Sequence, residues 1–332
     1  MIHNIPEKKD GQYDPYELMV TRPDVKSLLI IKEMVTKEND MKSIKTLIEL
    51  GANVNYVNES GFSILHYACF LNSPETIKML IDAGADMNYH SEVLLGYMPI
   101  HSAHLEGLKV LLEAGADPNS TNEILQTPLF NKHILDDKQS VELLLSYGAN
   151  PNVKDQFLST PLHFAVVSSR IESLEVLLNA GADLEAKNEG GFTPLLHTNR
   201  NMNSEIIEFL IQKGANINAV DAENCTLLHH AAFGNYIEVA ELLIKLGIDI
   251  DAQNNTGITA LHHSAMFDQT ELTELLLKSG ANPNIQDKEG NTPLHYCSDD
   301  VFSDSIQLLI EYKADETIKN KEGYTYLDLV GM

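Results

Sequence analysis

The sequence has little cysteine: Cys69, Cys225 and Cys297 are three in 332 residues. An odd number, far apart and in no CxxC pair, supplies neither a disulfide framework nor a cysteine zinc site, and points to a reducing, intracellular, cytoplasmic setting. Cations are scarce too, with 23 Lys and Arg against 48 Asp and Glu and a formal charge of -25. Such a surface repels nucleic-acid phosphate and anionic membrane, so the expected partner is another protein with a basic or apolar face. No segment offers the ~18 consecutive apolar residues of a membrane span. Met1 to Asp24, with Lys8, Lys9, Asp10 and Asp14, lacks the apolar centre of a signal peptide. A Gly-rich phosphate loop, a nucleophile elbow and an HExxH pattern are all missing. The expectation is a chain without catalytic residues, cofactor or metal.

What is present is a repeat. With 43% hydrophobic and 21% charged residues, the composition is that of a folded chain. Tetrapeptides open at Thr160-Pro161-Leu162-His163, Thr193-Pro194-Leu195-Leu196, Thr226-Leu227-Leu228-His229, Thr259-Ala260-Leu261-His262 and Thr292-Pro293-Leu294-His295, each 33 residues after the last. Thr127-Pro128-Leu129-Phe130 keeps that step, while Met98-Pro99-Ile100-His101 and Ser63-Ile64-Leu65-His66 are weaker copies at spacings of 29 and 35. A second marker keeps the same phase: Gly51-Ala52, Gly84-Ala85, Gly115-Ala116, Gly148-Ala149, Gly181-Ala182, Gly214-Ala215, Gly247-Ile248 and Gly280-Ala281.

These markers resemble the ankyrin family, whose period is 33 and whose signature is T-P-L-H-x-A, over about residues 24 to 330. The resemblance implies an all-α solenoid of stacked antiparallel helix pairs with hairpin-like fingers and a concave face. The residues agree. Thr160 can cap a helix whose first turn takes Pro161, where no backbone N–H is needed. Ile171, Leu174, Leu177 and Leu178 form one apolar stripe of a second helix, and Gly181 ends it. Asp183 to Phe192 is turn-rich, as a finger between helix pairs should be.

The expected organisation is an N-terminal extension over 1–23, then one repeat domain over 24–330. Within it, 24–57 is a capping helix pair, about 58–319 holds eight repeats, and 320–332 is a truncated unit whose final helix has no partner.

Thirteen histidines invite a metal or catalytic reading. His66, His101, His163, His229, His262 and His295 belong to the repeat signature, and the resemblance implies hydrogen bonding within and between units. His197, His230 and His263 follow the tetrapeptide in successive units and should form a ladder, spaced too widely (~10 Å) to share one ion held at ~2 Å. The choice there is between a pH-sensitive patch and inert packing. Glu172, Glu175, Glu205, Glu208, Glu238, Glu241, Glu271 and Glu274 recur early in second helices, where they complement the helix dipole on the outer face.

Function is expected where the repeat does not dictate the residue. Finger positions are apolar at Val93, Leu94, Leu95, Tyr97, Ile124, Leu125, Phe157, Leu158 and Phe192, and Leu125 and Leu158 take the slot of Gly191, Gly257 and Gly290. On adjacent fingers these could form one contact patch; the alternative is that they fill a gap left by the irregular unit around Met98. First-helix ends add Phe70, Leu71, Ile134, Leu135, Phe233, Met266 and Phe267 as anchors, some of them core. Asn55, Asn88, Asn119, Asn152, Asn218 and Asn284 each lie four residues after the repeat glycine. The resemblance makes them candidates for asparaginyl hydroxylation; the plainer reading is that each closes its own finger turn.

The leading expectation is a protein-binding module or adaptor. The alternative is the targeting array of a longer enzyme, a ubiquitin-ligase component or a secreted bacterial effector delivered into a host cell.

Overall fold

The structure, a computed structural model, describes residues 23–35, 41–59, 61–91, 95–297 and 304–329. It divides into two compact units, Met1–Gln156 and Phe157–Met332.

The first unit holds α1 (Pro23–Val35) and α2 (Met41–Glu49), then α3 (Ile64–Phe70) and α4 (Pro74–Asp82), then α5 (Pro99–Ser102) and α6 (Leu105–Glu113). A 3₁₀ turn at Pro128–Phe130 leads into α7 (Lys132–Leu135) and α8 (Lys138–Ser146). The second unit pairs α9 (Pro161–Ser168) with α10 (Ile171–Asn179), and α11 (Pro194–His197) with α12 (Ser204–Gln212). It continues with α13 (Leu227–Phe233) and α14 (Ile237–Lys245), then α15 (Ala260–Met266) and α16 (Thr270–Lys278). A 3₁₀ turn at Pro293–Tyr296, α17 (Asp304–Glu311) and the single-turn α18 (Tyr326–Leu329) complete it. In each unit a helix packs on its pair mate and on its counterpart in the next pair.

The sequence punctuation explains these boundaries. Thr160 is extended, at φ -103° and ψ 165°, and Pro161 follows at the first position of α9. At the other end of the pair, Gly181 adopts φ 86°. Its N–H donates to Leu178 O at 3.0 Å and that of Ala182 to Leu177 O at 3.0 Å, so two otherwise orphaned carbonyls of α10 are satisfied.

The core repeats with the same period. Leu177, Leu210, Leu243 and Leu276 are all fully buried at equivalent points of second helices, as are Leu80, Leu111 and Leu144 in the first unit. Each such leucine contributes about 1.5–3 kcal/mol on burial, and its partners lie in the neighbouring pairs, so no pair is stable alone.

Among the first-helix ends, Ile134 and Leu135 are core, buried at 0% exposure. The first helix of that unit is broken into the 3₁₀ turn and α7, which rotates both side chains inward. The final helix, expected to lack a partner, has one. Tyr326 of α18 is buried, the helix packs on the Pro293–Tyr296 turn, and the Tyr326 hydroxyl donates to Glu316 Oε2 at 3.0 Å.

Candidate functional site

The fingers are held in place by the signature histidines. The Thr160 N–H donates to His163 Nδ1 at 3.1 Å, and His163 Nε2 meets the carbonyl of Phe192 in the following finger at 2.9 Å. Because Nδ1 accepts, the ring proton sits on Nε2 and donates to that carbonyl. His229 repeats the arrangement with Thr226 and Ile258, His262 with Thr259 and Asn291, and His101 with Met98 and Gln126. Burial favours the neutral ring, pushing both His101 and His262 down to about 4.

The other three histidines do not form the expected ladder with one another. His197 packs edge-on to His163 and His263 edge-on to His229, while His230 lies under Phe192 and bonds Asp221 Oδ2 at 2.9 Å. A histidine one place beyond the signature therefore meets the signature ring of the preceding repeat where the two are within reach.

Finger tips are joined by single main-chain bonds. Glu123 N donates to Leu95 O at 2.7 Å and Gln156 N to Ile124 O at 3.0 Å in the first unit. In the second, Glu189 N donates to Phe157 O at 2.8 Å and Ala222 N to Gly190 O at 3.0 Å. Beside these bonds lies the slot that most repeats fill with glycine. Gly191, Gly257 and Gly290 have φ of 75°, 84° and 81° there, and Asn224 has 59°. Leu125 and Leu158 adopt the same left-handed backbone in that slot, at 63° and 59°; in the finger before them Gly96 fills the slot at 72°, and Leu95, one place earlier, is left-handed at 51°.

Those leucines are not packing residues. Leu95, Leu125 and Leu158 are 51%, 51% and 48% exposed, and Phe157 is 50% exposed. Half-buried Ile124 lies beside Leu125. Tyr97 and Phe192 behave differently: both are half-buried, with rings on His101 at 5.2 Å and His230 at 5.6 Å. They pack the finger bases. Val93 and Leu94 lie outside the described residues. Leu95 and Leu125 thus stand on neighbouring fingers of the first unit, and Phe157 and Leu158 together on one finger of the second.

Of the first-helix ends, Phe70, Phe233 and Phe267 are exposed at 69%, 65% and 49%, and Met266 is half-buried. Sequence reasoning passes over Tyr236, which is also exposed, because it lies in the loop between α13 and α14 rather than at a repeat-free position of a helix. It also passes over the left-handed backbone of Leu95, since two inserted residues hide the register.

The asparagine series has a different role from turn closure. In each case the residue two places earlier closes the turn, as Asn282 Oδ1 does by accepting from Asn284 N at 3.0 Å. The Asn284 amide instead reaches the next repeat, donating to Lys313 O at 3.1 Å and accepting from Asp315 N at 2.7 Å. Asn55 and Asn119 do the same with the repeats that follow them, and Asn218 accepts from Asp249 N at 2.9 Å. Asn88 and Asn152 share the turn bond.

Two consecutive helix pairs with a capped start, a glycine stop and a tip-bonded finger, repeated every 33 residues, match the family model described as Ankyrin repeats (3 copies) over 100–188, 181–254 and 247–320. The chain belongs to the ankyrin-repeat family. A second ankyrin description, Ankyrin repeats (many copies), matches residues 33–81. Among solved structures, the ankyrin repeat domain of Bcl-3, titled a unique member of the IkappaB protein family, is similar at 25% identity and a TM-score of 0.57. The match covers 76% of this ankyrin chain and 100% of that one. No curated protein matches the sequence. Among the described residues of the ankyrin chain, no group of three or more His, Cys, Asp or Glu is placed to hold a metal ion, and no helix is long and apolar enough to cross a membrane.

Proposed function

We propose that this ankyrin-repeat chain is a non-enzymatic binding module that offers exposed finger tips for protein contact, Leu95 and Leu125 in the first unit and, separately, Phe157 and Leu158 in the second. The observation that carries the reading is leucine held left-handed, half exposed, in a slot that other repeats fill with glycine or asparagine. A left-handed backbone costs an L-residue about 1–2 kcal/mol, and exposed leucine recovers little of it by burial. Neither backbone preference nor packing accounts for the choice, whereas apolar contact with a partner does. The free cysteines support a reducing, intracellular setting for that partner.

The asparagine struts bear on modification. An asparaginyl hydroxylase would meet an amide already bonded to the next repeat, so hydroxylation of Asn55, Asn119, Asn218 or Asn284 requires the strut to open first.

The test is affinity capture from lysate with the wild-type chain and with a Leu125→Gly, Leu158→Gly double variant, checked by circular dichroism. Glycine suits the backbone at both sites, so the fold is retained. A protein held by the wild type and lost from the variant supports the reading; identical captured sets would reject it.

A further inference from the structure

A second exposed surface lies in the second unit and has a different character. Phe233, which ends α13, and Phe267, just past α15, are 65% and 49% exposed, and their rings meet edge to face at 5.6 Å and 88°. His263 backs both: it is edge-on to Phe233 at 6.0 Å and parallel to Phe267, with an interplanar angle of 1°. The two phenylalanine rings thus stand at right angles to one another, and both remain exposed. Tyr236, 46% exposed, follows Phe233 by three residues.

The loops and first turns around this platform are mainly acidic: Glu238, Asp268 and Glu271 stand against one cation, Arg200, at the end of the 3₁₀ turn Thr198–Arg200 that packs on α13. Asp268 directly follows Phe267, and Glu238 and Glu271 stand exposed in the first turns of α14 and α16, beside the loops that carry the aromatics. His263 adds no positive charge at neutral pH, because burial and neighbouring histidines push it down to about 4.

We infer that the Phe233–Phe267 platform is a binding site for an arginine-bearing peptide segment of a partner protein. Aromatic faces are electron-rich and attract a cation laid over them. Guanidinium suits this place better than ammonium: it is planar, stacks on a ring and is weakly hydrated, so it loses less on leaving water. Glu238 and Glu271 then offer carboxylates to its edge N–H groups while the rings hold its face. An acidic segment would be repelled by Glu238 and Glu271.

The inference does not depend on the finger-tip leucines, and the experiment separates the two. A random nine-residue peptide display library is panned against the full chain, against Phe233→Leu with Phe267→Leu, which keeps apolar area but removes the rings, and against the Leu125→Gly, Leu158→Gly variant. The expected result is enrichment of arginine in the wild-type and glycine-variant selections and its loss with the leucine-substituted platform. Replacing the enriched arginine by citrulline, its neutral isostere, in a synthetic peptide should then weaken binding about tenfold. Selection without arginine enrichment, equal binding by the ring-free variant, or equal binding by the citrulline peptide would each overturn the assignment. Peptides lost only from the glycine variant would do the same while leaving the finger-tip reading intact.

Discussion

Leu158 and Gly191 hold the same place in consecutive fingers and the same left-handed backbone, at φ 59° and 75°. They differ in what lies beside them. A Cβ at Gly191 would stand 2.6 Å from Ala222 N, main chain that cannot step aside, whereas the Leu158 side chain is half exposed. One slot is closed by its neighbour and the other is open to solvent.

Exchange at these two positions should therefore be asymmetric. Leu158→Gly relieves the left-handed cost but frees the unfolded chain, and changes stability by less than about 1 kcal/mol. Gly191→Ala drives a methyl into the next finger and lowers stability by more than about 2 kcal/mol. Urea denaturation of the two variants beside the wild type checks both values.

Stability should decline with acid earlier than carboxylates alone would cause. His101 and His262 titrate near 4 in the folded chain, while an unfolded histidine titrates near 6.5. Between those values the unfolded state takes up protons that the folded state refuses, so stability falls as pH drops from 6.5 towards 4 and gains nothing from these groups above 6.5. At pH 5 each contributes a loss of about 2 kcal/mol. Comparing denaturation at pH 7 and pH 5 should show His262→Gln with the shallower dependence, although less stable at pH 7.

The strut position offers a stabilising change. At Asp251 the carboxylate accepts from Asn282 N at 2.9 Å but has no proton to give, whereas Asn284 at the equivalent place both accepts and donates. Asp251→Asn restores the donor and removes one of two nearby like charges, Asp249 being two residues away, and should raise stability by about 0.5–1 kcal/mol. A thermal melt at neutral pH reads this directly, and an unchanged or lower midpoint would refute the strut account.

Most of the fold was legible because each of its devices is local. A threonine with proline behind it, a histidine three residues on and a glycine after a leucine stripe each settle their own few residues, and the period of 33 then fixes the stack. The candidate site was legible where departure from the period could be seen, at Leu125 and Leu158. It was obscured where the period itself shifts: Leu95 is left-handed one place before a slot that Gly96 fills, and Ile134 and Leu135 face inward because their helix is broken. The asparagine struts could not be read from spacing, since their bonds run to the next repeat rather than to their own turn.

The histidine-to-finger bond also sets an order of assembly on the ribosome. His163 Nε2 has its acceptor in Phe192, 29 residues downstream, and His229 and His262 find theirs at the same distance. While the chain is being made, no repeat can close this bond until the tip of its successor has emerged. Completion therefore trails synthesis by one repeat, and a pause in translation just before a finger leaves the newest repeat unlocked at its C-terminal side.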